Sequence, residues 1–480
     1  AAIPEGMSSI ITIILSLGMS DMAKKNVIIR KMASVETLGS TDIICSDKTG
    51  TITQNKMVVK SVFVNNELYT EKDEIENADK LKMCASYCQN VTRNNDTYIG
   101  DETEVSIYKY LENIGCVLTS SKSRIKEYPF DSDRKMMSTV NEVNGKIYSF
   151  TKGSLDSVIN NCSKYLIDGN LFDMTDEYKK EVFDIEKEQS LKSLRLLAFA
   201  YKESDTDNPE NEMIFLGLIG MMDPPRESVP DAIFVCHKAG LKPIMITGDS
   251  INTAIAIAKS VNIIDTDAKA VEGKDVDKMT DEELKEAVKK YQVYARISPN
   301  TKLRIVNSLQ EQGYVVAMTG DGVNDAPAIQ KANIGIAMGI TGTEVVKKVA
   351  DCILVDDSFS TIVEGVEEGR RITLNIKKVI LYLLAGNIVE VMIVFVSMLL
   401  NLEMFTTLQL LWINLVTDSI PAIMLAFEKA DSDVMDDTPS NRSNSSFFTP
   451  FLTAKIVVGA LFKSLIMIIL FLCYTNLYDV

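Results

Sequence analysis

Histidine is almost absent from this chain of 480 residues, which contains only His237. Histidine-based triads, histidine-rich zinc sites and haem ligation are therefore nearly excluded. The eight cysteines form no CxxC pair, and the nearest two, Cys84 and Cys88, have three residues between them. This spacing indicates reduced thiols in a reducing compartment rather than a disulfide framework.

An excess of basic residues is also missing. Lys and Arg total 50 against 66 Asp and Glu, a formal net charge of −16. A general nucleic-acid binder would show a basic face, so we expect no nucleic-acid partner. No GxxxxGK[ST] motif occurs, which disfavours a P-loop ATPase. The mean hydropathy of +0.06, together with 24% charged residues, indicates soluble domains joined to membrane segments.

Apolar segments long enough to cross a bilayer, which takes about 20 residues, occupy residues 1–20, 379–400, 404–427 and 456–474. Residues 21–378 have ordinary soluble composition. Basic residues flank both membrane junctions of this stretch and place it in the cytosol by the positive-inside rule: Lys24, Lys25, Arg30, Lys31, Lys377 and Lys378. Because the chain starts inside an apolar segment, we expect a piece of a longer membrane protein. A natural four-span protein is the alternative.

Each of the first three apolar segments contains one acid: Glu5, Glu390 and Asp418. A lone ionised carboxylate at mid-bilayer costs ~2.5–3.5 kcal/mol. Either the acids are protonated and hydrogen-bond between helices, or they form a cation site.

The neighbours of these acids favour the cation site. Asn387 precedes Glu390 by three residues, and Asn414, Thr417 and Asp418 have i, i+3, i+4 spacing, so each set is predicted to share a helix face. Pro4 removes a helical hydrogen bond and frees carbonyl oxygens near Glu5. Such a set offers only oxygen ligands, which suits a hard cation, and Ca²⁺ takes about 6–8 of them.

Acidic residues follow three predicted strands in the soluble stretch. Residues 41–46 are predicted to form a short buried strand that ends before Asp47. A second predicted strand, residues 243–247, leads into the motif Thr247-Gly248-Asp249. Residues 314–318 end in the loop that contains Asp321 and Asp325. Because parallel strands deliver their carboxyl ends to one edge of a sheet, we expect these residues to lie together.

Phosphoryl transfer is the chemistry that fits this edge. Asp47 would attack the terminal phosphate of ATP and form an acyl phosphate. Asp47 and Asp321 would provide the carboxylates for Mg²⁺, which prefers one or two of them plus water and phosphate oxygens. Lys302, near the start of a predicted helix, and Thr247 would hold the equatorial oxygens, with Asn324 orienting them.

Three motifs resemble those of P-type ATPases: DKTGTIT at 47–53, TGD at 247–249 and TGDGVNDAP at 319–327. IPEG at 3–6 is similar to that family's fourth membrane helix, Asn387 to Glu390 to its fifth and NLVTD at 414–418 to its sixth. The nearest subgroup is the calcium pumps of the sarco/endoplasmic reticulum type and their bacterial relatives. The resemblance implies a fragment that lacks the actuator domain and the first and last membrane helices.

The implied fold class is α/β: a Rossmann-like haloacid-dehalogenase phosphorylation domain with an inserted α+β nucleotide-binding domain, plus α-helical transmembrane segments. The phosphorylation domain would occupy 21–60 and 218–360, the nucleotide domain 61–217 and a helical stalk 361–378. Transmembrane helices would occupy 1–20 (the fourth of the family), 379–400, 404–427 and 456–474, with a cytosolic loop at 428–455.

The resemblance also implies roles for single residues. Phe130 would stack on adenine, with Glu104, Lys152 and Arg195 as further nucleotide contacts. The remaining cofactor-binding residues would be Thr49, Gly248, Asp249, Arg296 and Asn324. Mg²⁺ would lie near Asp47, Thr49, Asp321 and Asp325, and the transported cation would bind Ala1, Ile3, Glu5, Asn387, Glu390, Asn414, Thr417 and Asp418.

The implied activity is ATP hydrolysis coupled to Ca²⁺ transport by a multi-pass membrane protein that works as a monomer at full length, with its large domains in the cytosol. The membrane would be the plasma membrane in bacteria or a reticulum-type membrane in eukaryotes. The family's TGES actuator motif is absent, and Thr49 stands where related phosphatases carry an acid. This piece alone is therefore expected to form at most a long-lived phosphoenzyme.

Other functions stay open. A P-type ATPase with these motifs could instead transport Na⁺, K⁺ or H⁺. The number of ions per cycle could be one or two. A membrane-tethered phosphatase or nucleotide-binding module would need no intramembrane acids, so the three acids weigh against it. An inert fragment is the remaining alternative.

Overall fold

The computed structural model describes residues 6–95, 97–116, 123–203, 208–400, 404–429, 434–436 and 450–478. The strands, in chain order, are β1 (Val27–Ile29), β2 (Ile43–Ser46), β3 (Val58–Val64), β4 (Glu67–Thr70), β5 (Thr92–Asn94), β6 (Thr97–Ile99), β7 (Arg124–Asp131), β8 (Met136–Val143), β9 (Lys146–Gly153), β10 (Cys162–Ile167), β11 (Asn170–Asp173), β12 (Arg195–Glu203), β13 (Met213–Met222), β14 (Lys242–Ile246), β15 (Ala270–Glu272), β16 (Val293–Ala295), β17 (Val316–Gly320), β18 (Ile334–Met338) and β19 (Cys352–Leu354).

The α-helices are α1 (Met7–Lys24), α2 (Ala33–Gly39), α3 (Asp79–Tyr87), α4 (Glu102–Asn113), α5 (Leu155–Asn160), α6 (Asp176–Leu191), α7 (Val229–Lys238), α8 (Ile251–Ser260), α9 (Gly273–Val276), α10 (Asp281–Lys290), α11 (Pro299–Glu311), α12 (Ala326–Lys331), α13 (Glu344–Val349), α14 (Phe359–Leu400), α15 (Thr407–Trp412), α16 (Ser419–Ala426) and α17 (Pro450–Tyr478). Backbone contacts divide the chain into two units. The first comprises 1–47, 228–246 and 271–480, and the second comprises 48–227 and 247–270.

The first unit contains an eight-stranded sheet in the order β1-β19-β18-β17-β2-β14-β16-β15. From β19 to β16 the neighbouring strands are parallel, and β1 adds an antiparallel edge. Every residue of β2 is buried, as expected for a central parallel strand covered on both faces. The carboxyl ends of β2, β14 and β17 therefore lie side by side, which confirms the predicted sheet edge and the α/β class.

The second unit is built on a largely antiparallel sheet in the order β11-β10-β13-β12-β9-β8-β7, in which β10 and β13 pair in parallel. Strand β3 also pairs with β13, and β4 pairs with β3. Side chains of β12 alternate between two apolar cores. Phe199 and Tyr201 pack with α3 and α4, whereas Ala198 and Ala200 pack with α5 and α6. The alternation follows from the two-residue period of a strand, so helices cover both faces of this sheet.

A continuous helix of 42 residues, α14, runs through the predicted stalk at 361–378. It packs on α2 at a point where two glycines meet. A Cβ on Gly39 would lie 2.4 Å from the carbonyl carbon of Gly369, so only glycine allows this approach.

Helices long and apolar enough to cross a membrane, within the described residues, are Phe359–Leu400, Thr407–Ala426 and Thr453–Tyr474. They correspond to the second, third and fourth predicted apolar segments. The described part of the first, α1, is not among them, and residues 1–5 lie outside the described residues. The predicted span at 1–20 and the domain limits remain predictions.

Candidate functional site

An ion-paired cluster lies at the carboxyl edge of the first unit's sheet. Asp47 follows β2 directly, and Lys302 extends from the first turn of α11. The Lys302 ammonium donates to Asp47 Oδ2 at 2.8 Å and to Asp325 Oδ1 at 2.7 Å. Lys302 and Asp325 side chains are only 8% and 6% exposed, so little solvent screens these pairs.

Local sequence fixes the position of Lys302. The Ser298 hydroxyl accepts a hydrogen bond from the Thr301 amide and caps α11, and Pro299 stands at the first helical position. Both residue types are preferred at these places because they suit the unpaired amides of a helix start. The helix therefore begins at a defined residue and aims Lys302 at the end of β2.

Electrostatics hold this cluster in one charge state. Burial alone would lower the pKa of Lys302, but the carboxylates of Asp47 and Asp325 outweigh it and raise that pKa above its ordinary value. The pKa of Asp321 is also raised, first by burial and then by the nearby carboxylates of Asp47 and Asp325. The site thus keeps its lysine charged while it crowds negative charge around Asp321.

The loop after β17 brings its acids to the same edge. Asp325 Oδ2 accepts a hydrogen bond from the Gly322 amide at 3.2 Å, and the Asp47 amide donates to the Thr319 hydroxyl at 3.3 Å. A Cβ on Gly320 would lie 2.5 Å from Asp325 Cβ, so this loop needs a glycine there. Predicted ligand residue Asn324 is exposed beside it.

This cluster offers only two carboxylates to a magnesium ion. Within the described residues, no group of three or more His, Cys, Asp or Glu side chains is arranged to hold a metal. Asp325 is engaged by Lys302, which leaves Asp47 and Asp321 as carboxylate ligands. One or two carboxylates completed by water and phosphate oxygens is the usual coordination of Mg²⁺. The pKa of Asp321 is raised first by burial and then by the carboxylates of Asp47 and Asp325, and a cation would relieve the second of these causes.

Arg296 directly follows β16 and is exposed, with a φ of 53°. Its predicted nucleotide role stays a prediction.

The segment after Asp47 belongs to the second unit, where the Lys48 ammonium pairs with Asp249 at 2.5 Å. Thr247 is buried, and its hydroxyl accepts a hydrogen bond from the Asp249 amide. Thr49 and Gly248 are exposed. The TGD motif is therefore joined to the phosphorylation motif through Lys48, a contact that the sequence did not predict.

The same segment is anchored at the predicted return hinge. Thr53 donates its hydroxyl hydrogen to Asp223 at 2.5 Å. Arg226 donates to the carbonyl of Gly50 at 2.7 Å and to that of Thr53 at 3.3 Å. Gly50 has a φ of 77°, a conformation that favours glycine. These bonds fix the turn that follows the candidate nucleophile.

A cavity of about 450 Å³ in the second unit brings together the four predicted nucleotide contacts: Glu104, Phe130, Lys152 and Arg195. Lys152 forms an ion pair with Glu104, and both side chains are nearly buried. Phe130 is 63% exposed, so its ring face is open to a planar ligand. Sequence reasoning missed Lys135, Met137 and Leu197, which also line the cavity.

The membrane helices bring two of the predicted acids to one cavity of about 360 Å³, lined by Glu390 and Asp418. Glu390 Oε2 accepts a hydrogen bond from the Asn414 amide at 2.7 Å, whereas buried Oε1 has no partner among the described residues. Asn387 is also buried on α14. Predicted ligands Ala1, Ile3 and Glu5 lie outside the described residues.

A π-helical turn, Ile413–Thr417, separates α15 from α16. The Asp418 amide donates to the Ile413 carbonyl, five residues back, instead of four. This turn changes the predicted i, i+3, i+4 face, because extra residues per turn rotate the side chains. Thr417 is exposed and is not among the residues that line the cavity, so its role as a ligand stays a prediction.

Two family matches cover separate parts of the chain. The family described as "P-type ATPase, cytoplasmic domain N" matches residues 78–228, and that described as "Cation transporting ATPase, C-terminus" matches residues 402–480. A calcium-transporting ATPase of Lactococcus lactis is 45% identical, and one of Bacillus cereus is 42% identical. Both alignments cover 96% of this chain and 54% of the relative.

A human protein named "Potassium-transporting ATPase alpha chain 2" is 37% identical over 92% of this chain and 49% of its own length. The chain thus spans about half the length of the curated relatives it matches. Together with the two family matches, these similarities show that the chain belongs to the P-type ATPase family.

Proposed function

We propose that this chain is part of an ATP-driven pump that transports Ca²⁺ and is phosphorylated on Asp47. The observation that carries the proposal is the Lys302 bridge between Asp47 and Asp325 at the end of three parallel strands. A lysine held there can accompany a carboxylate nucleophile and then neutralise the phosphate oxygens that arrive beside it.

The reaction follows from this arrangement. A carboxylate oxygen of Asp47 attacks the γ-phosphorus of ATP, and ADP leaves with the electrons of the broken bond to the bridging oxygen. Lys302 stabilises the charge on the transferred group. Mg²⁺, held by Asp47 and Asp321, would supply further neutralisation of the phosphate oxygens.

The cavity of the second unit supports nucleotide binding. Exposed Phe130 offers a stacking surface, and the cationic side chains of Lys152, Arg195 and Lys135 suit a polyanionic ligand. ATP is accordingly the proposed phosphoryl donor.

Calcium is the proposed cargo because the membrane cavity supplies oxygen ligands and because several relatives are named calcium-transporting ATPases. Transport would cross a bilayer, with the soluble parts on the cytosolic side. The potassium-transporting relative supports one second candidate, a pump for another cation.

Phosphorylation by labelled ATP tests the proposal in the native protein. Wild type is expected to incorporate acid-stable, hydroxylamine-sensitive label in the presence of Ca²⁺, and Asp47→Asn to incorporate none. The matched control is Asp231→Asn, an exposed acid in the first turn of α7. Label that persists in Asp47→Asn would overturn the assignment.

Glu390→Gln and Asp418→Asn test the cargo. Each removes a carboxylate from the cavity, so the Ca²⁺ concentration needed for half-maximal labelling should rise about 10²-fold or more. Glu428→Gln, an acid paired with Lys378 at the helix end, is the control and should change it little. Labelling that follows Na⁺ or K⁺ instead of Ca²⁺ would select the second candidate.

A further inference from the structure

A buried carboxylate outside the Lys302 cluster lies just before α14. Asp357 is 1% exposed and has a φ of 56°, a left-handed conformation that few residues other than glycine adopt. A buried carboxylate is costly unless it is hydrogen-bonded. Backbone strain of this kind persists only where the surrounding structure holds it, and it concentrates at functional sites. The partners of Asp357 therefore indicate its role.

Both carboxylate oxygens of Asp357 bind the loop that follows β18. Oδ1 accepts hydrogen bonds from the amides of Gly339 and Ile340 at 2.6 and 3.0 Å. Oδ2 accepts hydrogen bonds from the amide and the hydroxyl of Thr341 at 2.8 and 2.9 Å. Donors from three consecutive residues thus converge on one buried side chain, which holds this part of the loop in one conformation.

The same loop contacts the backbone of Asp321. Strand β18 pairs with β17 in the sheet, so the loops that follow these two strands are neighbours. The amide of Thr343 donates a hydrogen bond to the carbonyl of Asp321 at 2.9 Å. A Cβ on Gly342 would lie 2.0 Å from the carbonyl oxygen of Met338, so the loop is tightly folded between these points. A displacement of loop 339–343 would therefore move the backbone of Asp321.

We propose that Asp357 is a positioning residue for Mg²⁺, because it holds loop 339–343 against Asp321 and so fixes the place from which the Asp321 carboxylate reaches the ion. The proposal rests on the proposed function, in which Asp47 and Asp321 are the carboxylate ligands of Mg²⁺. Loss of a group that orients a metal ligand typically costs about 10–100-fold in metal affinity. Asp357 acts through Asp321, so its loss should affect the requirement for Mg²⁺ more than the requirement for ATP.

The neighbouring acid, Asp356, provides a matched control. Its carboxylate accepts hydrogen bonds from the Ser358 amide at 3.1 Å and from the Thr361 hydroxyl at 2.7 Å, at the start of α14. These two bonds involve no residue of loop 339–343. Asp356→Asn thus perturbs the same segment of chain without releasing the loop beside Asp321.

Phosphoenzyme labelling of the full-length pump in native membranes measures the Mg²⁺ requirement. In Asp357→Asn an NH₂ group replaces one acceptor oxygen, so the Mg²⁺ concentration for half-maximal labelling should rise about tenfold or more. The ATP concentration for half-maximal labelling at saturating Mg²⁺ should stay within about twofold of wild type. Thr341→Val removes a single hydroxyl donor and should raise the Mg²⁺ requirement about threefold. Asp356→Asn should leave it within about twofold of wild type.

Hydrogen–deuterium exchange of the same proteins gives a readout that needs no activity. Asp357→Asn should speed the exchange of amides in loop 339–343 and also in the loop 319–325, which contains Asp321. Asp356→Asn should change the exchange of neither loop.

An unchanged Mg²⁺ requirement in Asp357→Asn, or in Thr341→Val if Asp357→Asn fails to accumulate, overturns the proposal. Equal rises in the Mg²⁺ and ATP requirements, an equal response of Asp356→Asn, or faster exchange confined to loop 339–343 also overturn it. Absence of any phosphoenzyme in wild type would instead refute the proposed function, which separates the two failures.

Discussion

Two sites in the first unit combine carboxylates with a lysine, and they leave those carboxylates in different states. At the sheet edge, Lys302 is bonded to both Asp47 and Asp325, so each of these acids has a cationic partner before any ligand arrives. In the membrane cavity, which Lys463 also lines, buried Oε1 of Glu390 has no hydrogen-bond partner within the part of the chain that the structure describes. The first arrangement suits a site that positions a nucleophile, and the second suits a site that binds a cation.

Removal of Lys302 should give the largest effect and would break the first half of this comparison. Lys302→Met leaves two buried carboxylates without their partner, so we expect a loss of about 3–5 kcal/mol in the free energy of unfolding. Phosphoenzyme labelling should fall about 10²–10³-fold. Thermal unfolding and labelling measure the two effects.

The control for that variant is Lys285→Met, which removes an exposed pair with Glu311 and should cost about 0–1 kcal/mol. The pH dependence of stability gives a second check on the role of Lys302. Because the folded pKa of Lys302 is raised, its stabilisation is complete below its unfolded pKa of about 10.5 and is lost as pH rises through the folded value. An unfolding temperature of Lys302→Met equal to that of wild type at neutral pH would contradict the pairing.

Arg370 tests whether buried charge can also be purely structural. Its guanidinium, on α14, donates to the carbonyls of Ala239 and Val434 at 3.2 and 3.3 Å, and the residue is 2% exposed. Arg370→Ala leaves these carbonyls without that donor and should lower stability by about 2–4 kcal/mol. Lys192→Ala, which removes an exposed pair with Glu188, should cost about 0–1 kcal/mol in the same thermal assay. Equal losses in both variants would refute the assigned role.

Asn414 tests the hydrogen bond to Glu390 in the membrane cavity. Asn414→Ala removes the donor to Glu390 Oε2, and a hydrogen bond to a charged group contributes about 1.5–3 kcal/mol. The Ca²⁺ concentration for half-maximal labelling should therefore rise about 10–100-fold. Ser419→Ala changes a neighbouring hydroxyl that donates to the Asn414 carbonyl and should have little effect. An identical response of the two variants would show that the bond to Glu390 is unimportant.

Substitution of Asp321 should give the smallest effect. It should raise the free energy of unfolding and lower phosphoenzyme labelling. Its raised pKa means that its contribution to stability is present below the ordinary value of 3.8 and is lost as pH rises through the folded pKa. Asp321→Asn should therefore be more stable than wild type at neutral pH by about 0.5–2 kcal/mol without Mg²⁺, while labelling falls. The stabilisation should shrink as pH falls towards 4 in thermal unfolding scans; a gain that is constant with pH would argue against titration of Asp321.

Several contacts at these sites were not accessible to sequence reasoning. The Lys48–Asp249 pair joins residues about 200 positions apart. Lys463, which lines the membrane cavity with Asp418, follows it by more than 40 residues in the chain. The only signal for Lys463 was a lone lysine within an apolar segment. The π-turn at Ile413–Thr417 gave no sequence signal that we could identify.

The sequence by itself determined the order of the motifs along the chain, the buried strand before Asp47 and the stalk helix, because apolar runs act locally. It also placed Asp47 at a strand end. Only the tertiary structure decided which lysine meets which acid: Lys302 bonds to Asp47, whereas Oε1 of Glu390 has no partner among the residues that are described. Such pairings depend on the packing of helices and strands far apart in the chain, and no local residue pattern encodes their geometry.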